Sequence, residues 1–216
     1  MRTLAEATWT DLPELPLVLV PVGSTEQHGP HLPLETDTVI ATAVARVLAD
    51  NMGGYVTPAL SIGASGEHQG FPGTLSLGTE VLRSVLVELV RSMSLWAGRI
   101  VLVNGHGGNL DAVRQAVDQL VLEQHRVTWV PCTFNGDAHA GKAETSLMMH
   151  LAPWLVRRGR LQPGNTTPLT KLMPELAAHG VRAVSTNGVL GDPTRASAAE
   201  GGRLFARMVL EAQRGL

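Results

Sequence analysis

Apolar residues recur along this chain in two alternating rhythms: short unbroken runs, and longer stretches spaced for one face of a helix. Residues 15–22, Leu-Pro-Leu-Val-Leu-Val-Pro-Val, make a run of strand length, the pattern of a strand buried on both faces. Residues 38–49 carry apolar side chains at helical spacing, and Gly53-Gly54 stops that helix. A second strand is predicted over 55–62 and a helix over 79–96, closed by Gly98. Residues 99–103, Arg-Ile-Val-Leu-Val, are the clearest strand, followed by a helix over 110–125, a strand over 126–134 and a helix over 141–156. Residues 157–195 are rich in Gly, Pro and Thr and read as a long ordered excursion before a last helix from about Ala196. Long loops inside compact domains are usually functional. Strands alternating with helices in this way predict an α/β fold, a mainly parallel sheet covered on both faces. The 216 residues fit one domain, spanning 1–216.

Composition narrows the partners. Seventeen basic residues against 19 acidic ones leave a formal net charge of -2, so no basic field attracts nucleic acid and no polybasic stretch holds an anionic membrane. The longest apolar runs fall far short of the roughly 20 residues a bilayer span requires. The first residues lack the charged-then-apolar layout of a signal peptide, and a lone Cys132 fits a reducing compartment. The expectation is a cytoplasmic protein whose interior is filled by Leu, Val and Ala rather than by rings.

In open α/β sheets ligands sit beyond the carboxyl ends of the strands. Three places qualify, after Val22, after Val103 and after Phe134, and each carries His or acidic residues. The first is Gly23-Ser-Thr-Glu-Gln-His-Gly-Pro-His-Leu-Pro-Leu-Glu-Thr-Asp37. Glu26 and His28 lie two apart, so an extended backbone turns both to one side as half of a metal site. Asp37 stands at the threshold of a helix, where its other reading is an N-cap. His31 and Glu35 in the same loop read as packing or support. The second place, Asn104-Gly-His-Gly-Gly-Asn109, sets His106 in a glycine-rich turn that allows close approach of a ligand. Its spacing does not fit the dinucleotide-binding G-x-G-x-x-G.

The third place, Asn135-Gly-Asp-Ala-His-Ala-Gly-Lys-Ala-Glu-Thr-Ser146, offers His139 just before a helix and Glu144 about one turn into it. Glu144 could simply complement the helix dipole. His139 is the best general acid/base, since an unperturbed imidazole titrates near neutrality. A fourth segment, from Ser65 to Thr74, places Ser65, Glu67 and His68 as weaker candidates for substrate contact. His125, His150 and His179 read as structural. No G-x-S-x-G elbow is present, and Cys132 has no base beside it.

Together these three motifs resemble the creatininase (creatinine amidohydrolase) family, and the similarity runs from about Leu15 to the last helix. The resemblance implies a three-layer α/β/α sandwich and one or two divalent metal ions per subunit (Fe²⁺, Zn²⁺ or Mn²⁺). Carried over by motif, Glu26, Asp37 and His106 would hold one ion, and His28, Asp37 and Glu144 the other. Asp37 would bridge them, with His139 as the proton-transfer histidine. It also implies a homo-oligomer acting on a peptide or small amide. Creatinine-cleaving members have a glutamate two residues beyond the glycine-loop histidine, where this chain has Gly108. Trp129 and Trp154 do not match the tryptophan pair that boxes creatinine. The Gly188-Val-Leu-Gly-Asp-Pro-Thr194 stretch is similar to the mycofactocin-system branch, whose members trim a C-terminal dipeptide from a modified precursor peptide. The expected activity is therefore peptide-bond hydrolysis, with creatinine or a formamide as the alternative substrate. A non-catalytic binding protein would have no need of His139 beside a complete ligand set.

Overall fold

Uninterrupted Val and Leu runs can be buried on both faces only where the sheet is covered on both sides. The computed structural model, which describes residues 2–216, has this arrangement. Its order is β1 (Leu17–Val22), α1 (Thr36–Met52), β2 (Tyr55–Val56), α2 (Thr79–Met93), β3 (Arg99–Asn104), α3 (Leu110–Leu122), β4 (Val127–Pro131), α4 (Lys142–Leu151), α5 (Leu169–His179), α6 (Val181–Val184) and α7 (Ala198–Arg214). The strands pair in the order β2-β1-β3-β4, all parallel, with Val18 opposite Ile100 and Ile100 opposite Val127.

Alternation along the strands divides the interior into two cores. Leu19, Val101, Val103 and Val130 face α1, α4 and α7, where Ile40, Val44, Leu147 and Met208 pack against them. Val18, Val20, Ile100 and Leu102 face α2 and α3, meeting Leu82, Leu86, Val113 and Leu120. This is the expected α/β/α sandwich. At roughly 1.5–3 kcal/mol for each fully buried aliphatic side chain, these faces supply the main stabilisation. The chain leaves β1 and β3 toward opposite neighbours, so a crevice opens between their carboxyl ends, as in other doubly wound sheets.

Several boundaries differ from the sequence expectation. Strand pairing from Tyr55 lasts only two residues: Thr57 N–H still donates to the Leu19 carbonyl, but the next donor to β1 is displaced to Leu60, whose N–H meets the Pro21 carbonyl, and one bridge from Leu60 to Val22 follows. The helix expected to reach residue 156 stops at Leu151, just ahead of Pro153. The helix expected to reach 96 ends at Met93, where the Ser94 hydroxyl donates back to the Val90 carbonyl. The excursion over 157–195 contains α5, none of whose residues is buried. Among the described residues no helix is long and apolar enough to cross a membrane.

Candidate metal centre

Three loops, leaving the carboxyl ends of β1, β3 and β4, bring Glu26, His28, Asp37, His106, His139 and Glu144 together, all of them buried. Asn109 ties two of these loops to a neighbour. Its amide donates to the Gly23 carbonyl at 2.9 Å and accepts from the Ala64 N–H at 2.8 Å. Asn104 donates to the carbonyl of His106 at 2.8 Å, so the amides flanking the glycine-rich turn fix its shape.

Asp37 lies at the centre. It is the second residue of α1, but its side chain does not cap the helix, which overturns the N-cap reading. Instead Oδ2 accepts from Ser24 Oγ at 2.8 Å and lies 3.1 Å from His106 Nδ1, while Oδ1 lies 3.3 Å from His28 Nε2. Glu26 Oε2 is 3.1 Å from His106 Nε2 and Oε1 is 3.3 Å from His68 Nε2, yet neither oxygen attains hydrogen-bond geometry with any neighbour. Two buried carboxylate oxygens left in that state are costly unless something else satisfies them. Three groups of donor atoms each lie within 4.8 Å of one another: Glu26/Asp37/His106 and His28/Asp37/Glu144, which share Asp37, and Glu26/His28/His139. Mixed imidazole and carboxylate donors, buried and converging from separate loops, fit a pair of divalent cations.

The electrostatics agree. Burial pushes the Glu26 and Glu144 carboxyls up to about 7, with the nearby Asp37 charge adding to the effect. Burial opposes protonation of His28 and His106, but the carboxylates around them prevail and push these imidazoles up to about 10 and about 9. His28 and Asp37 favour each other's charged forms, and Asp37 is held well below the ordinary carboxylate range despite its burial. Protons are thus drawn to places where a cation would otherwise sit.

Hydrogen bonds assign the tautomers. His28 Nδ1 donates to the Glu26 carbonyl at 3.1 Å, and the protonated ring also donates from Nε2 to Asp37 Oδ1 at 3.3 Å. His139 Nε2 lies 2.8 Å from the Gln27 carbonyl and 3.0 Å from the Gln27 side-chain Nε2; the shorter contact, to an oxygen that can only accept, puts the proton on Nε2 and leaves Nδ1 bare, 3.9 Å from Glu26 Oε1. Burial, then the charge at His28, hold His139 well below its usual range, so it is neutral. The side chain of Gln27 was not anticipated. Its Nε2 reaches His68 Nδ1 at 2.9 Å and the Gly188 carbonyl at 3.1 Å, and its Oε1 accepts from the Gly29 N–H at 2.8 Å. Gly188 (φ +79°) is required here, because a Cβ would lie 1.8 Å from Gln27 Oε1. Strand alternation directs attention to Glu26 and His28 and away from the intervening Gln27.

Of the weaker candidates, Ser65 is fully buried with its hydroxyl 3.5 Å from His106 Nε2, and His68 is enclosed between Gln27 and Glu26. Burial, then the charges at His28 and His106, lowers His68 to about 3, so it too is neutral. Glu67 keeps 29% of its side chain exposed, with Oε1 3.7 Å from His106 Nε2. It occupies space left by Gly108, where a Cβ would lie 2.7 Å from that oxygen. His31 contacts Thr145 Oγ1 at 2.8 Å, behind Glu144. His125 pairs with Glu123 near the surface, His150 lies beside Phe205, and His179 ends α5. A cavity of about 710 Å³ opens onto Asp37, His106, His139 and Glu144, with Leu169, Met173 and Leu176 of α5 as its apolar wall. Neither Trp129 nor Trp154 lines it; Trp154 is 73% exposed and Trp129 packs with the α2/α3 core.

Residues 5–214 match the family described as creatininase, creatinine amidohydrolase. A mycofactocin precursor peptide peptidase of Mycolicibacterium smegmatis (strain ATCC 700084 / mc(2)155) is 55% identical, over 90% of this chain and 82% of that protein. One of Mycobacterium ulcerans (strain Agy99) is 52% identical, over 95% and 87%. Two solved creatininases superpose at 26% identity. "Creatininase Mn" has a TM-score of 0.78 over 98% of this chain and 96% of that one. A mutant creatininase of Zn-Zn type has a TM-score of 0.79 over 98% and 95%.

Proposed function

Because this chain belongs to the creatininase family of amidohydrolases, we propose that it is a metal-dependent peptidase. Its reaction would be removal of the C-terminal Val-Tyr dipeptide from the modified mycofactocin precursor peptide. The observation that carries the chemistry is the sharing of Asp37 between two donor groups, beside a Glu26 carboxylate that no neighbour satisfies. Glu26, Asp37 and His106 would hold one ion, and His28, Asp37 and Glu144 the other. Such a pair supplies a water acidic enough to ionise near neutral pH and polarises the scissile carbonyl. Mixed His and carboxylate donors suit Fe²⁺, Zn²⁺ or Mn²⁺, with no thiolate to select zinc.

The chain's own residues do the rest. His139 is held by the Gln27 carbonyl with Nδ1 bare toward the cavity, so it takes the proton of the attacking water there. It then delivers that proton to the departing amide nitrogen. Gln27 and Gly188 keep the ring in place. Ser65, Glu67 and His68 are proposed to face the substrate, Glu67 most directly, being the least buried. Creatinine is disfavoured as substrate by the absence of a tryptophan from the cavity wall. Self-association would cover Trp9, Leu95 and Leu122, each more than 80% exposed.

Mass spectrometry of the modified precursor after anaerobic incubation with Fe²⁺ or Zn²⁺ tests the reading. Release of Val-Tyr that chelator abolishes supports it. An untouched peptide, with metal confirmed bound, sinks the peptidase and points to a small cyclic or formyl amide.

A further inference from the structure

We propose that Arg182 reads the C-terminal carboxylate of the peptide substrate, in a side cavity that opens off the metal centre. This rests on the peptidase reading above and adds the group that recognises the chain end. The side cavity holds about 530 Å³ and shares Glu67, Met173 and Leu176 with the main one. Among the described residues, Arg182 is the one arginine or lysine that lines either cavity.

Its guanidinium is held in place. Nη1 donates to the Gly70 carbonyl at 2.6 Å, and the guanidinium carbon lies 5.6 Å from the centroid of the Phe71 ring. Gly70 permits this approach, since a Cβ there would meet the Arg182 Cβ at 3.1 Å. Among the described residues no carboxylate pairs with Arg182, so most of its five N–H donors remain available. An arginine oriented by backbone and ring, with its fork uncommitted at a cavity, is arranged for a planar anion.

The order of charged groups fits a dipeptide. Glu67 stands 3.7 Å from His106, at the inner end of the side cavity, and Gly70 follows it by three residues in a tight turn. The cavity therefore presents a carboxylate near the reacting centre and a guanidinium at the far end. That is the order of charges on a free dipeptide, whose new ammonium forms where the bond breaks and whose carboxylate lies two residues away. Leu169, Met173 and Leu176 recur at i, i+4 and i+7 on α5, turning one apolar face onto the space between, where side chains of the dipeptide would lie.

The test is calorimetric binding of Val-Tyr, as free acid and as C-terminal amide, to the metal-loaded protein, alongside cleavage of peptides ending in acid or amide. Wild type should bind the acid roughly 10- to 100-fold more tightly than the amide, the range for hydrogen bonds to a charged group. Arg182→Ala should lose that preference with unchanged metal content and melting temperature, and Arg182→Lys should keep part of it. In cleavage the loss should fall on KM more than on kcat. Equal binding of acid and amide by wild type, or a preference that survives in Arg182→Ala, overturns the proposal. Arg182-dependent dipeptide binding without any cleavage would leave this subsite standing and sink the peptidase reading. Cleavage without Arg182-dependent discrimination would do the reverse.

Discussion

Replacing Gln27 with alanine should destabilise the protein strongly and disorder its proton-transfer machinery without touching a metal donor. In the intact network the two N–H groups of the Gln27 amide go to the Gly188 carbonyl and to His68 Nδ1, and its oxygen takes the Gly29 N–H. This leaves His68 with its proton on Nε2, directed at Glu26. Truncation strands two buried acceptors and one buried donor. At about 1–3 kcal/mol for each unsatisfied group, with water entering the vacated space, the loss should be about 3–5 kcal/mol. For a chain of this size that lowers the melting temperature by roughly 6–20 °C. His139 keeps its bond to the Gln27 backbone carbonyl, so its ring shifts rather than leaves, and kcat should fall by roughly 10- to 100-fold. Calorimetric melting reads the first effect. Nitrogen-15 NMR of the imidazoles reads the second, with wild type showing the Nε2–H tautomer at both His68 and His139. A melting temperature within 2 °C of wild type would refute the network. So would an Nδ1–H tautomer at His68 in the unmodified protein.

His139→Ala should lower kcat by roughly 10² to 10⁴ while keeping the metal; metal loss would instead place His139 among the ligands, as its closeness to Glu26 and His28 allows. Asp37→Asn should abolish the rise in melting temperature that added metal gives wild type, because both donor groups depend on that carboxylate. An unchanged rise would remove the bridging role. Cys132 is buried, and burial followed by the charge of Asp37 raises its thiol above the usual range, so a thiol reagent should label native protein far more slowly than unfolded protein. Rapid labelling without unfolding would contradict that placement.

The sandwich was legible because strand runs such as residues 17–22 and 99–104 are too apolar to sit anywhere but between two helical layers. The clustering of the candidate donors was legible because they follow the strands whose carboxyl ends adjoin, and because glycines mark the close approaches. What escaped has physical reasons. Gln27 points opposite to its neighbours and acquires meaning only when Gly188, 161 residues later, arrives against it. Helix α5 is exposed on all sides but one, carries Pro174, and faces a cavity rather than a core, so its apolar spacing is diluted in a stretch rich in Gly, Pro and Thr. Arg182 is exposed and looks like any surface cation until Gly70 and Phe71 are placed beside it.

If Asp37 joins two ion sites, their occupancy should switch on peptide hydrolysis. Titrating chelator-stripped protein with Mn²⁺ or Zn²⁺, while following Val-Tyr release by mass spectrometry, tests it most directly. Stripped protein should show no cleavage, and activity should rise with loading to a plateau at two ions per chain. Cleavage at full rate in protein shown to be free of metal would contradict it.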